Sequence, residues 1–142
     1  MKKFISNQVI RLVSWLNYGQ TPLLLLLRLW IATLFFRSGY LKISNFDNAI
    51  SLFTYEHPVP LLPPLVAAIL GTFFELVCSS MLILGIGTRL ATLPLIAMTL
   101  VIEFTYMDVV EHYYWLMVLG TILFFGPGAI SVDRLLYRKY GD

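Results

Sequence analysis

Residues 22–43, PLLLLLRLWIATLFFRSGYLKI, decide the fold. Five consecutive leucines open the stretch. At about 1.5 Å per helical residue it reaches across a hydrocarbon core of about 30 Å. It also carries Arg28, Arg37 and Lys42. Each charge at mid-membrane costs roughly 2.5–3.5 kcal/mol, whereas each strong apolar residue returns about 0.3–0.6. The segment therefore spans only if its charges reach the interface or meet partners on other spans.

The remaining sequence supplies such partners. The 142 residues are 58% hydrophobic and 13% charged, against about 25% charged in a soluble domain. This composition specifies an integral membrane protein. The formal net charge of +2 and the scattered basic residues give no footing for nucleic acid. A single cysteine, Cys78, excludes an internal disulfide and dithiol chemistry.

Residues 1–20 place Ile5, Val9, Leu12, Val13 and Leu16 near the helical period, with Lys2, Lys3 and Arg11 on the polar side. This reads as a short amphipathic helix on the membrane surface, ending at Gly19, with Pro22 in the first turn of span one. No signal peptide is read there, for want of a continuous apolar core or a cleavage site.

A helical domain over 21–137 follows, with spans at about 22–43, 64–86, 90–106 and 112–125, and a basic tail over 138–142. A short helix is expected over 46–55. Lys and Arg avoid the connections 44–62 and 107–111 and collect at the other ends of the spans. Both termini are thus expected on the cytoplasmic side. The expected fold is all-α: an integral membrane four-helix bundle with a short amphipathic surface helix at its start.

Glu75 near the middle of span two is the focus of the chemistry. Its side chain is too short to leave the midplane, so it must be paired, protonated or facing water. With span one starting at the cytoplasmic side, Arg28 falls roughly 9 Å in and Glu75 roughly 16 Å in, while Arg37 and Glu103 lie near 20 Å. Glu75 is within reach of Arg28 by its long side chain and Arg37 is level with Glu103, and helix rotations decide which base takes which acid. Snorkelling of Arg37 and Lys42 is the alternative. Glu103 and Tyr106 share a face of span three. With Tyr113 and Trp115 they could line an outer pocket for a flat amphipathic ligand such as a quinone, or belong to an interfacial aromatic belt. Glu56-His57 and Glu111-His112 could, with Asp108, gather a metal, but their spacing matches no ligand pattern and no metal is assigned.

RLWIATLFFRSGYLKISNF, with Arg28, Phe35, Gly39 and Lys42, resembles the opening of the DoxX family. GTFFELVCSSMLILGIGTRLA resembles its second block through Gly71, Glu75, Gly85, Thr88 and Arg89. GPGAISVDRLL resembles its closing signature through Gly126, Pro127, Gly128, Ser131 and Asp133. The resemblance implies a four-helix protein of a bacterial inner membrane, linked to quinone-dependent or thiol and oxidative-stress redox work. The block between spans three and four is shorter here than the family pattern, with only His112 and Tyr113-Tyr114 left of it.

On this reading Arg28, Glu75, Lys42, Arg37, Glu103, Tyr106 and His112 are candidates for ligand binding or proton relay. Gly39, Arg89, Gly126, Pro127, Gly128 and Asp133 are structural, Asp133 or Ser131 capping a helix over 134–140, or Asp133 pairing with Arg89. The catalytic residues are left unassigned. The expected function is a subunit of a membrane redox system, working with a soluble or membrane oxidoreductase and with quinone as the only implied cofactor. The alternatives are a non-catalytic scaffold that docks a partner, and a small transporter acting as a homodimer.

Overall fold

The computed structural model describes the backbone of residues 2–105 and 109–140, and the side chains of 10–11, 14–16 and 19 onward within them. The described residues form helices and no strands: α1 (Lys2–Ser44), α2 (Phe46–Ser51), a π-helical turn (Leu52–Glu56), α3 (Pro64–Leu84), α4 (Thr88–Thr105), α5 (Val110–Phe125) and α6 (Val132–Tyr140). Three segments are long and apolar enough to cross a membrane: Ser14–Ser44 of α1, α3 and α4. The apolar α5 has 16 residues, which at about 1.5 Å each falls short of the hydrocarbon thickness.

The local sequence accounts for most boundaries. Asn45 caps α2, its side-chain oxygen accepting from Asn48 N at 3.3 Å. Pro63 stands at the N-cap of α3 and Pro64 opens its first turn, where the missing N–H costs nothing. Gly85 ends α3 in the left-handed conformation, φ +72°. One expected boundary is absent. Gly19 and Pro22 do not divide a surface helix from span one; α1 runs through both without a break. Interior prolines are tolerated where neighbouring helices, side chains and local adjustment re-satisfy the freed carbonyl.

One core draws on α1, α3, α4 and α5: Ile31, Ala32 and Phe35, then Cys78 and Leu82, then Ala91 and Leu95, then Leu119 and Ile122. Cys78 is a packing residue, as its apolar neighbours suggest. α1 and α3 approach closely at Gly39. A Cβ on Gly39 would stand 2.9 Å from Leu76 Cγ and 3.0 Å from Glu75 Cβ, so only glycine fits this crossing.

That crossing sets the register. Gly39 lies opposite Glu75, and the helices run antiparallel. Arg28, eleven residues earlier, is therefore roughly 16 Å away along the axis. It lies beside Gly85 instead, where a Cβ would come within 2.9 Å of Arg28 Nη1.

Candidate functional site

The crossing of α1 and α3 creates a buried ionic centre. Ser38 and Lys42 stand one helical turn apart on α1, on the face that carries Gly39 toward α3. Lys42 Nζ lies 2.5 Å from Glu75 Oε1 and 2.7 Å from Oε2, and it also donates to Ser38 Oγ at 3.0 Å. Ser38 Oγ stands 3.3 Å from Glu75 Oε1. Glu75 is 3% exposed. The carboxylate at mid-helix is thus answered by an ammonium and a hydroxyl. Glu75 is paired, as a short acidic side chain in that position requires.

The cation is Lys42, not Arg28, which counted depths put within reach of Glu75. Arg28 does not approach Glu75. Its guanidinium donates to Pro127 O at 2.7 Å and Ile130 O at 3.0 Å. The register fixed by Gly39 places the two residues too far apart for a side chain to bridge. Lys42, which could have snorkelled, turns inward. Arg37 is exposed on the opposite side of α1 and takes no part in the centre. Glu103 is not matched with Arg37 either: its Oε2 lies 2.7 Å from His112 Nδ1 on α5. Tyr106 and Asp108 lie outside the described residues.

Lys42 and Glu75 open onto a cavity of about 410 Å³ between α1, α3, α4, α5 and the π-helical turn. Its walls are mainly apolar: Phe35, Phe53, Phe74, Met98 and Trp115 face it. Phe35 and Trp115 meet edge to face with centroids 5.6 Å apart, and Trp115 meets His112 at 5.0 Å. Polar groups enter the wall at Ser38, Lys42 and Glu75, and at His57 and His112. Gly71 keeps the wall thin, its Cβ position lying 3.3 Å from the Phe53 ring.

The cavity differs from the outer pocket expected from sequence in its walls and in its polar end. Trp115 lines it. Tyr113 is half exposed and not among its wall residues. Its polar end is Lys42–Glu75 rather than Glu103–Arg37. Ser38 was missed, although its spacing of four from Lys42 was a usable signal. Sequence reasoning gives His57 a loop position or a share in a metal site, not a place in this wall, which depends on how the 57–63 segment folds back and which no periodicity reports. The described residues contain no cluster of three or more metal-ligating side chains, although His57 and His112 line the same cavity.

At the other end of the helices a second polar assembly joins the α3–α4 and α5–α6 connections. Asp133 accepts from Gly87 N at 2.7 Å and Thr88 N at 2.9 Å, capping α4. Its own N–H donates to Gly85 O at 2.9 Å. Ser131 Oγ caps α6 by accepting from Arg134 N at 3.2 Å. Of the two expected caps of α6, Ser131 is the one used. Asp133 pairs with neither its own helix nor Arg89, whose Nη2 donates to Phe124 O at 3.3 Å and packs over Gly126. Arg28 closes this assembly at 2% exposure, holding the carbonyls of the Gly126–Ile130 loop.

Burial pushes the Asp133 carboxyl up, but the Thr88 and Gly87 N–H groups and the nearby Arg28 outweigh it, leaving it below its ordinary value. Its folded value is thus lower than its unfolded one. The stability it supplies is complete above the unfolded value and is lost as pH falls through the folded one. Thermal unfolding in detergent should show a midpoint that drops below about pH 4. Asp133→Asn should start lower and show a shallower drop.

Residues 23–108 match the DoxX family model. The matched span contains α1 from Leu23, the Glu75 block and the Arg89 turn, and leaves the GPGAISVDRLL signature outside. No curated protein and no solved structure matches the chain.

Proposed function

The chain belongs to the DoxX family, and from that premise we propose that it is a membrane subunit that binds a flat, apolar ligand with a polar head, of the quinone class, for a membrane-associated redox system. The observation that carries this reading is the cavity of about 410 Å³, apolar and aromatic over most of its wall and ionic at one place. Small-molecule sites have this form: about 300–1,000 Å³, largely hydrophobic, with a few convergent polar groups. Lys42 and Ser38 can donate to a carbonyl oxygen of the ring, and Glu75 can accept from a hydroxyl of the reduced form. Aromatic walls at Phe35, Phe74 and Trp115 suit a planar ring.

With one cysteine in the chain, no dithiol is available, and electrons are assigned to a partner oxidoreductase. In this reading α1, α3, α4 and α5 cross a bacterial inner membrane four times, α5 completing its crossing with flanking residues. The basic residues at the α3–α4 turn and in α6 support a cytoplasmic position for that end of the helices.

The test uses Trp115. Titration of the detergent-solubilised protein with a short-chain quinone should quench tryptophan fluorescence saturably. Trp115→Phe should remove most of the saturable component, while Trp15 and Trp30, exposed on α1, leave only a linear collisional one. Purely linear quenching in the unsubstituted protein would refute the reading.

A scaffold role is favoured by a different observation. Lys42 and Glu75 satisfy each other directly, as a pair holding helix register would. The two readings separate when both residues are replaced together by apolar ones: a scaffold keeps its function and a binding subunit loses it.

A further inference from the structure

We propose that the groove between α1, the start of α4 and α6 binds the phosphodiester of an anionic phospholipid. The groove has a volume of about 720 Å³ and lies at the end of the molecule remote from the Lys42–Glu75 cavity. Its floor is the α3–α4 turn at Gly87 and Thr88 and the loop Gly126–Ala129. These segments directly follow apolar helices that are long enough, or nearly so, to cross a membrane. The groove therefore lies at the level of lipid headgroups, not in bulk solution.

Its charge is one-sided. Arg89 and Arg134 face it from α4 and α6. The carboxylate in the groove, Asp133, already accepts from two backbone N–H groups and lies near Arg28. It leaves the two guanidinium groups available to an external anion. Arg89 is held in place by Phe124 O and by its contact over Gly126, so part of the cost of ordering it is met in the free protein. Guanidinium forks match phosphate oxygens in geometry as well as charge.

The occupant is a lipid rather than free phosphate because the lip of the groove is apolar. Leu90 and Phe125 line it and are 68% and 70% exposed. Acyl chains can leave the basic floor across them toward the bilayer. The helix α6 points the same way. Its sequence VDRLLYRKY carries Arg134, Arg138 and Lys139 against one acid, and it exposes Leu135, Leu136 and Tyr137. An exposed helix with basic and apolar residues is suited to lie in an anionic interface.

The experiment is native mass spectrometry of the full chain in mild detergent, with phosphatidylglycerol or phosphatidylcholine of matched acyl chains. Phosphatidylglycerol should be retained about 25-fold more, at roughly fivefold for each of the two engaged arginines. Arg134→Gln, a change at an exposed side chain, should reduce its retention about fivefold. Arg138→Gln removes the same charge from α6 outside the groove and should reduce retention less than Arg134→Gln does. Equal retention of the two lipids, or equal losses in the two variants, would overturn the proposal. Displacement of the lipid by millimolar inorganic phosphate would also overturn it, by making the site one for a soluble anion.

Discussion

Lys42→Met should destabilise the protein by about 3–5 kcal/mol, because it leaves the Glu75 carboxylate buried without its cation. Glu75 is nearly inaccessible, and the remaining side-chain hydrogen-bond partner, Ser38, is neutral and 3.3 Å away. Glu75→Leu alone should cost a similar amount for the mirror reason: it strands an ammonium that is 15% exposed in the folded protein. Changing both residues together should restore most of the loss, because removing both charges also removes their desolvation penalty. Thermal unfolding of the four proteins in one detergent gives the coupling directly. Additive losses would mean that the pair is not an energetic unit.

The second large effect is expected at Arg28. Its guanidinium makes two hydrogen bonds to main-chain carbonyls about a hundred residues later, at Pro127 and Ile130. Bonds to charged groups contribute about 1.5–3 kcal/mol each. Arg28→Met should therefore cost roughly 3–5 kcal/mol and free the 126–131 loop from α1. Limited proteolysis should show new cleavage in that loop. Arg28→Lys, with one short point charge in place of a fork, should recover only part of the stability. If Arg28→Met unfolds at the same temperature as the unsubstituted protein and the loop stays protected, the assignment of Arg28 as its fastening is wrong.

These two sites show what the sequence could and could not disclose. That Glu75 needed a partner was legible, because a short acidic side chain at the centre of an apolar helix has few options. Which base would answer it was not. Three basic residues on α1 were within plausible depth, and the choice turns on the register of α1 against α3. That register is set by a close approach at Gly39, which depends on Leu76 and the Glu75 stem as much as on the glycine. Depths counted from assumed helix ends bring Arg28 within reach of Glu75 but carry no information on this register, so they do not choose among the bases.

The apolar segments of α3, α4 and α5 were readable within two residues of their ends, since Pro63-Pro64, Gly85 and Gly126 punctuate them. The start of α1 was not. Glycine and proline at 19 and 22 normally mark a boundary, but helix continues through both. Asp133 was identified as structural from its place after Gly126-Pro127-Gly128. Its target, the start of α4, required the α5–α6 connection to fold beneath the α3–α4 turn, a long-range contact that no local pattern encodes. The cavity was half legible: Trp115, Glu75 and Lys42 each stand out in the sequence, but not that they line one space.

The central claim is that the cavity beside Lys42 and Glu75 receives a planar, quinone-like ligand. The most direct measurement is labelling with a photoreactive quinone, followed by peptide mapping. The account predicts adducts concentrated in the segments that carry Phe74, Met98 and Trp115, and their loss in the Lys42→Met/Glu75→Leu protein. Adducts spread over exposed residues away from the cavity, such as Leu26 and Leu93, at the same level with and without the ionic pair, would contradict it.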